Sequence, residues 1–165
     1  EQWCFKSLPT ISAQTLSTMD IASLEAKNIS YYTAVGNKAM VQGGKVSGGE
    51  WIDTIRFRDW LKTEIQSKVL NLFLGLSKVP FTDQGIALVQ NAVIDALEEG
   101  VRAGGIVQEA SSEDGEATQS YTVTVPRAAD LDAATRKSRK LTGVTWSAQL
   151  AGALIAAKIG GTLNY

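Results

Sequence analysis

Two apolar stripes at helical spacing in the middle of the chain limit what it can fold into. From Trp51 onward, Ile52, Ile55, Phe57, Leu61, Ile65, Val69, Leu72, Phe73 and Leu76 recur with a period of about 3.6 residues, and Lys62, Glu64, Gln66, Ser67, Lys68 and Asn71 fall between them. This pattern predicts one long helix, with Glu64 and Lys68 spaced for an ion pair one turn apart. A break over residues 77–81, containing Pro80, precedes a second stripe of Ile86, Val89, Val93, Leu97 and Val101. Thr82 is placed to cap this second helix, and Asp83 to complement its dipole. So short a connection favours antiparallel neighbours, and two helices with one apolar face each need a further layer to cover.

The rest of the chain supplies strands. Trp3 to Phe5 reads as a short strand, and Ser17 or Thr18 caps a short helix that carries Asp20 in its first turn and ends near Asn28. Tyr31, Tyr32, Thr33 and Val35, then Gly36-Asn37, then Ala39, Met40 and Val41 spell a β-hairpin. Tyr121 to Val125 alternates cleanly and stops at Pro126, and Val144, Trp146, Ala148 and Leu150 alternate again after Gly143. A final strand is expected in which Ile155, Ala157 and Ile159 share a face and the chain runs on through Thr162, Leu163 and Tyr165. The fold class that follows is α+β, a long antiparallel helix pair and shorter helices packed on a mainly antiparallel sheet, with residues 1–165 as a single domain. Glu1 is not a methionine, and Trp3, Phe5 and Leu8 follow at once as if within a domain, so the chain reads as part of a longer polypeptide.

Function classes narrow by composition. Sixteen basic residues against seventeen acidic ones demand neither a polyanion nor a membrane surface, and no apolar run reaches the roughly 20 residues needed to span a bilayer. The absence of histidine removes the usual general base and the commonest metal ligand, and Cys4 is the only cysteine. The expectation is therefore no enzyme, no cofactor and no metal. Gly43, Gly44, Gly48 and Gly49 invite a phosphate-loop reading, but no lysine followed by Ser or Thr closes the run, so they read as a flexible connection or bulge-rich turn before Trp51. Asp53, Arg56, Arg58 and Asp59 gather at the start of the long helix. As a carboxylate pair they would be the core of a hydrolase, yet neighbouring arginines lower a carboxyl pKa, the wrong direction for a general acid. Residues 108–120 are polar and acidic without the residue order of a calcium loop, and read as an exposed loop.

One charge feature stands out. Asp130 or Asp132 caps a helix running to Leu141, whose exposed side carries Arg136, Lys137, Arg139 and Lys140. Such a surface reads first as a solvated helix face whose cations complement the C-terminal dipole, next as a contact for an acidic protein, and, with no aromatic residues interleaved, least as one for nucleic acid.

Four collinear segments carry a family resemblance: W-I-D-T-I-R-F-R-D-W-L from Trp51, K-V-P-F-T-D-Q-G-I-A-L-V from Lys78, Y-T-V-T-V-P-R-A-A-D from Tyr121, and L-T-G-V-T-W-S-A-Q-L-A-G-A-L from Leu141. In order and spacing they resemble the C-terminal region of the tail sheath proteins of contractile-tailed bacteriophages. The opening W-C-F-K-S-L, the L-E-A-K-N-I-S-Y-Y-T segment and the final K-I-G-G-T-L are similar too. The chain departs from the pattern at Ala156-Ala157, where family members often carry a histidine nearby. The resemblance implies the tube-proximal, polymerising domain of a structural subunit. Copies would form hexameric rings stacked helically around a tail tube, and contract to drive the tube through the host envelope. It implies a virion component made in the host bacterial cytoplasm, with itself, the tail tube protein and baseplate proteins as partners, and neither nucleic acid nor membrane insertion. Strand exchange between subunits is then expected at Ile155, Ala157, Ile159, Thr162, Leu163 and Tyr165, and tube contact at Arg136, Lys137, Arg139 and Lys140. The rival readings are another tail or secretion-system structural module, and a carboxylate-dependent hydrolase using Asp53, Asp59 or the acidic loop.

Overall fold

The computed structural model describes residues 2–108, 110–111, 117–118 and 120–156. The chain divides into two compact units, residues 1–56 with 152–165, and residues 57–151.

In the first unit, α1 (Thr18–Ala26) begins as its sequence dictates. Ser17 Oγ accepts from the Asp20 N–H and the Asp20 carboxylate accepts from the Ser17 N–H, so two otherwise orphaned donors are satisfied reciprocally. The Asp20 carboxyl is held below the usual carboxylate range, first by the Ser17 hydroxyl and then by its backbone N–H. The helix closes where Asn28 turns left-handed at φ 56° and the Ile29 N–H reaches back to Leu24 O. The hairpin follows as β1 (Tyr31–Val35) and β2 (Lys38–Gln42), paired from Tyr31↔Gln42 to Val35↔Lys38. Gly36 at φ 63° supplies the positive angle that a two-residue hairpin turn demands of its first central residue. The expected strand at Trp3–Phe5 is instead a turn with Phe5 at φ 68°. The segment still lies along β2, because the Phe5 N–H donates to Val41 O and the Val41 N–H to Lys6 O. On the other edge, the Gln14 N–H donates to Tyr32 O and Thr33 Oγ1 to Gln14 O, which accounts for a buried threonine.

The glycine-rich stretch is a closed loop. Lys45 bridges Trp51, the Val46 N–H donates to Glu50 O, and Lys45 Nζ lies 5.1 Å from the centre of the Trp51 ring. Gly43 is confined by Ser30, whose Oγ accepts from the Gly44 N–H.

In the second unit, α2 (Ile52–Gly75, its first turn counted with the first unit) and α3 (Asp83–Arg102) run as the two stripes predict, Thr82 capping α3 through the Gly85 N–H. The predicted Glu64–Lys68 pair is made at 3.7 Å. Leu61, Val93, Leu97 and Ile106 form the buried cluster, and Phe57, Ile65, Val69, Tyr121, Val123 and Ala148 pack around it. Close approach dictates the small residues here. A Cβ on Gly85 would fall 1.8 Å from Pro80 O, and one on Gly105 would fall 2.1 Å from the Phe57 ring.

Strands β3 (Ala110–Ser111) and β4 (Ala117–Thr118) pair antiparallel within the acidic segment read as an exposed loop. The next pair is β5 (Tyr121–Thr124) with β6 (Thr145–Ala148), in register from Tyr121↔Ala148 to Thr124↔Thr145. Beyond β6, Leu150 bridges Ile106. The α+β class holds, but the strands among the described residues form three two-stranded antiparallel ladders in place of one sheet. Hydrophobic alternation sets which face of a strand is buried and leaves the pairing partner to tertiary contacts.

Between β5 and β6 a single 3-10 turn (Ala128–Asp130), tied to α3 by the Ala128 N–H to Asp83 Oδ1 at 2.6 Å, leads to α4 (Ala133–Ser138). This helix stops three residues short of Leu141. Arg139 adopts the left-handed conformation at φ 55° and its N–H returns to Arg136 O. No helix among the described residues is long and apolar enough to cross a membrane.

Candidate assembly surfaces

The cationic surface is built on α4. Asp132 accepts from the Thr135 backbone N–H, which, with the Thr135 hydroxyl and the nearby Arg136 charge, holds its carboxyl below the usual range. Arg136 and Lys137 fall in the last turn, where they complement the helix C-terminus, and the left-handed Arg139 carries the chain on to Lys140. All four cations are exposed, and among the described residues no carboxylate stands within salt-bridge distance of any of them. Arg139 and Leu141 also line a cavity of about 90 Å³ with Phe73, Phe81, Ile86 and Val89.

The strand-exchange candidates divide. Ile155 is half-buried and lines a cavity of about 320 Å³ in the first unit, beside Cys4, Ile29 and Trp51. It is not in a strand, since residues 151–156 carry no regular structure once Leu150 has made its bridge. Ala157, Ile159, Thr162, Leu163 and Tyr165 lie outside the described residues. What the first unit does present is a hairpin with incomplete edges. Among the described residues, β1 is met from outside only around Gln14, and β2 only by the Phe5–Lys6 segment at Val41. Among the described residues, nothing meets the ends of the two strands nearest Gly36, where an added strand could pair with main-chain groups.

A family model described as the E217 tail sheath protein gp31-like, C-terminal domain, matches residues 52–163, well over half of the chain. The chain belongs to this tail sheath family. No curated protein sequence matches it. Among solved structures, it resembles a chain of the contracted helical sheath of the anti-feeding prophage, with a TM-score of 0.72 at 15% identity. A chain of the six-fold symmetrised baseplate of the same particle gives a TM-score of 0.71, also at 15% identity. Both likenesses take in 99% of this chain and 45% of the other, so the chain spans less than half the length of the structures it matches. At that identity they establish a shared fold.

Asp59 faces Arg58 at 3.7 Å with both side chains about two-thirds exposed, the environment of a solvated surface pair. Among the described residues no three His, Cys, Asp or Glu side chains gather as a metal site would require. One surface went unrecognised in the sequence. Of the apolar stripe read along α2, Phe73 is 53% exposed and Leu76, just beyond the helix, 42%, and beside them Leu70 and Leu74, which lie outside that stripe, are 56% and 75% exposed. The signal was present: Leu70, Leu72, Phe73, Leu74 and Leu76 wrap more of the helix than one stripe, which marks an element covered on more than one side.

Proposed function

We propose that this chain is the tube-proximal, polymerising domain of a longer tail sheath subunit. Its copies assemble as hexameric rings stacked helically around the tail tube and contract to drive the tube through the host envelope. The match to a sheath family over residues 52–163 carries this reading, and the likeness to a contracted helical sheath supports it. The partners are further copies of the subunit, the tube protein and the baseplate. The protein works in the virion tail after synthesis in the host bacterial cytoplasm, without catalysis, cofactor, nucleic acid or membrane insertion. The antiparallel setting of α2 and α3, which their short connection favours, gives the domain a stiff body.

Strand addition suits such a lattice, because main-chain hydrogen bonds can hold while subunits rotate about them. In this reading Ile155, Ala157, Ile159, Thr162, Leu163 and Tyr165 join a neighbour's sheet, and the incomplete edges of β1 and β2 are suitable receivers. Deleting residues 160–165 from the full-length protein is expected to abolish polymers while circular dichroism and unfolding midpoint stay unchanged; normal polymers from the deletion refute the assignment. Arg136, Lys137, Arg139 and Lys140 face the tube, where ion pairs hold the extended state and break on contraction. Reversing Arg136 and Lys137 to glutamate is expected to weaken assembly on the tube and flatten its salt dependence, and unchanged assembly counts against tube contact.

The likeness to a baseplate chain favours one alternative, a structural module at the tail's end. Electron microscopy separates the two, since a sheath subunit extends into tubes and a baseplate module stops at closed rings.

A further inference from the structure

The segment before α1 clasps the hairpin by both edges at one rung. In an antiparallel ladder only alternate residues turn their main-chain groups outward, and the two-residue turn after Val35 fixes which ones these are. Val35 and Lys38 close the turn as a mutually bonded pair, so Tyr32 and Ala34 face out from β1, and Ala39 and Val41 from β2. On β2 the Phe5 N–H donates to Val41 O and the Val41 N–H to Lys6 O, both at 2.9 Å. On β1 the Gln14 N–H donates to Tyr32 O at 3.1 Å, and the Thr33 hydroxyl to Gln14 O at 2.8 Å. Between these fastenings the Leu8 N–H donates to the Tyr32 hydroxyl, which donates in turn to Leu8 O. Tyr32 and Val41 are partners across the hairpin, so residues 5–14 run over it as a strap from one edge to the other. They take the outward groups of Tyr32 and Val41, and among the described residues nothing meets those of Ala34 and Ala39.

This strap is held weakly. Phe5 and Lys6 together oppose the single residue Val41, a bulge whose left-handed first position favours glycine, and Phe5 occupies it at φ 68°. For a residue with a Cβ that angle weakens closure of the strap about 10-fold. Little apolar surface is covered in return, since Phe5 is 50% exposed and Ile11 56%. A strand added along β2 needs the outward groups of both Ala39 and Val41, and the strap holds the second of these, so the two exclude each other. We infer that residues 5–14 are a displaceable guard on the hairpin, closed in the dispersed subunit and opened at Val41 when an extended strand of a second copy adds to β2. The guard rests on the strand-addition reading and supplies its control, because a free strand edge on a dispersed subunit pairs indiscriminately and a covered one waits for a competing strand.

The test uses the full-length polypeptide, dispersed at low concentration and assembled at high concentration, with deuterium exchange resolved to single amides. In the dispersed form the Val41 amide is expected to exchange well ahead of those of Thr33 and Met40, which bond within the ladder, and in polymers it is expected to become protected. Equal exchange of the three amides in the dispersed form overturns the guard. Phe5→Gly relieves the left-handed angle, and is expected to slow Val41 exchange and raise the concentration needed for polymers, each about 5-fold. Phe5→Pro removes the donor to Val41 O and excludes the left-handed angle, and is expected to do the reverse by about 10-fold while Thr33 and Met40 stay protected. If the proline variant loses that protection, the glycine variant decides alone. Polymers forming at the wild-type concentration in the variants that keep the ladder overturn the guard and leave the sheath reading standing. No polymers from wild type at any concentration, with or without tubes, overturn the strand-addition reading and the guard with it.

Discussion

Replacing Leu97 with alanine tests whether the second unit is organised as described. Leu97 is fully buried within the Leu61, Val93 and Ile106 cluster, so truncation removes its apolar contacts with both helices and leaves a void that close-packed neighbours fill only partly. Buried Leu→Ala changes cost roughly 2–5 kcal/mol. That is a large share of the ~5–15 kcal/mol by which domains of this kind are stable. At ~2–4 °C per kcal/mol for a chain of this size, a loss of ~3 kcal/mol lowers the melting midpoint by about 6–12 °C. The matched control is Leu74→Ala, the same chemistry at a side chain 75% exposed, where the expected change is within about 0.5 kcal/mol. Urea titrations of both variants, read by circular dichroism and by tryptophan fluorescence, give the comparison directly. If the two midpoints fall by equal amounts, the division of apolar leucines into a core and an open surface is wrong.

Other consequences can be checked on single variants. Gly105→Ala drives a methyl into the Phe57 ring and should destabilise by about 1–3 kcal/mol, with part of the loss recovered in Gly105→Ala/Phe57→Leu; an unaffected midpoint excludes the close approach. Asp132 has a folded pKa below its unfolded one, so its cap contributes stability above the unfolded value and loses it as pH falls through the lower, folded one. The Thr135 amide resonance should therefore shift in acid, after free carboxylates have titrated and not with them. Asp20, depressed by Ser17, should behave the same way at the start of α1, and Asp20→Asn should abolish the acid step there.

Local chemistry made much of the fold legible. The Ser17–Asp20 reciprocal cap, the Gly36 turn and the Thr82 cap each depend on residues within a few positions of one another, so their effect can be read without knowing the rest of the chain. The α3 stripe was equally plain, since Ile86, Val89, Val93 and Leu97 are all buried in one row. The misread features were decided elsewhere. Trp3 to Phe5 has strand-forming residues, yet Phe5 turns left-handed as the segment is fastened to Val41. The helix was expected to run to Leu141, but Arg139 takes the left-handed position first and shortens α4. The pairing of β5 with β6 spans a 20-residue gap, from Thr124 to Thr145, that alternation cannot bridge. The candidate surfaces were half legible. Cations at 136, 137, 139 and 140 stand where the sequence puts them, in the open. Phe73 and Leu76 belong to the stripe read along α2 and yet stand open, because a buried stripe and an exposed one have the same spacing.

The central claim, that this domain exists to be repeated in a sheath, is tested most directly by electron microscopy of the full-length polypeptide, alone at high concentration and with purified tubes. The account predicts helically ordered tubes in at least one of these conditions, built from stacked six-membered rings. Dispersed, unassociated particles in both would contradict it.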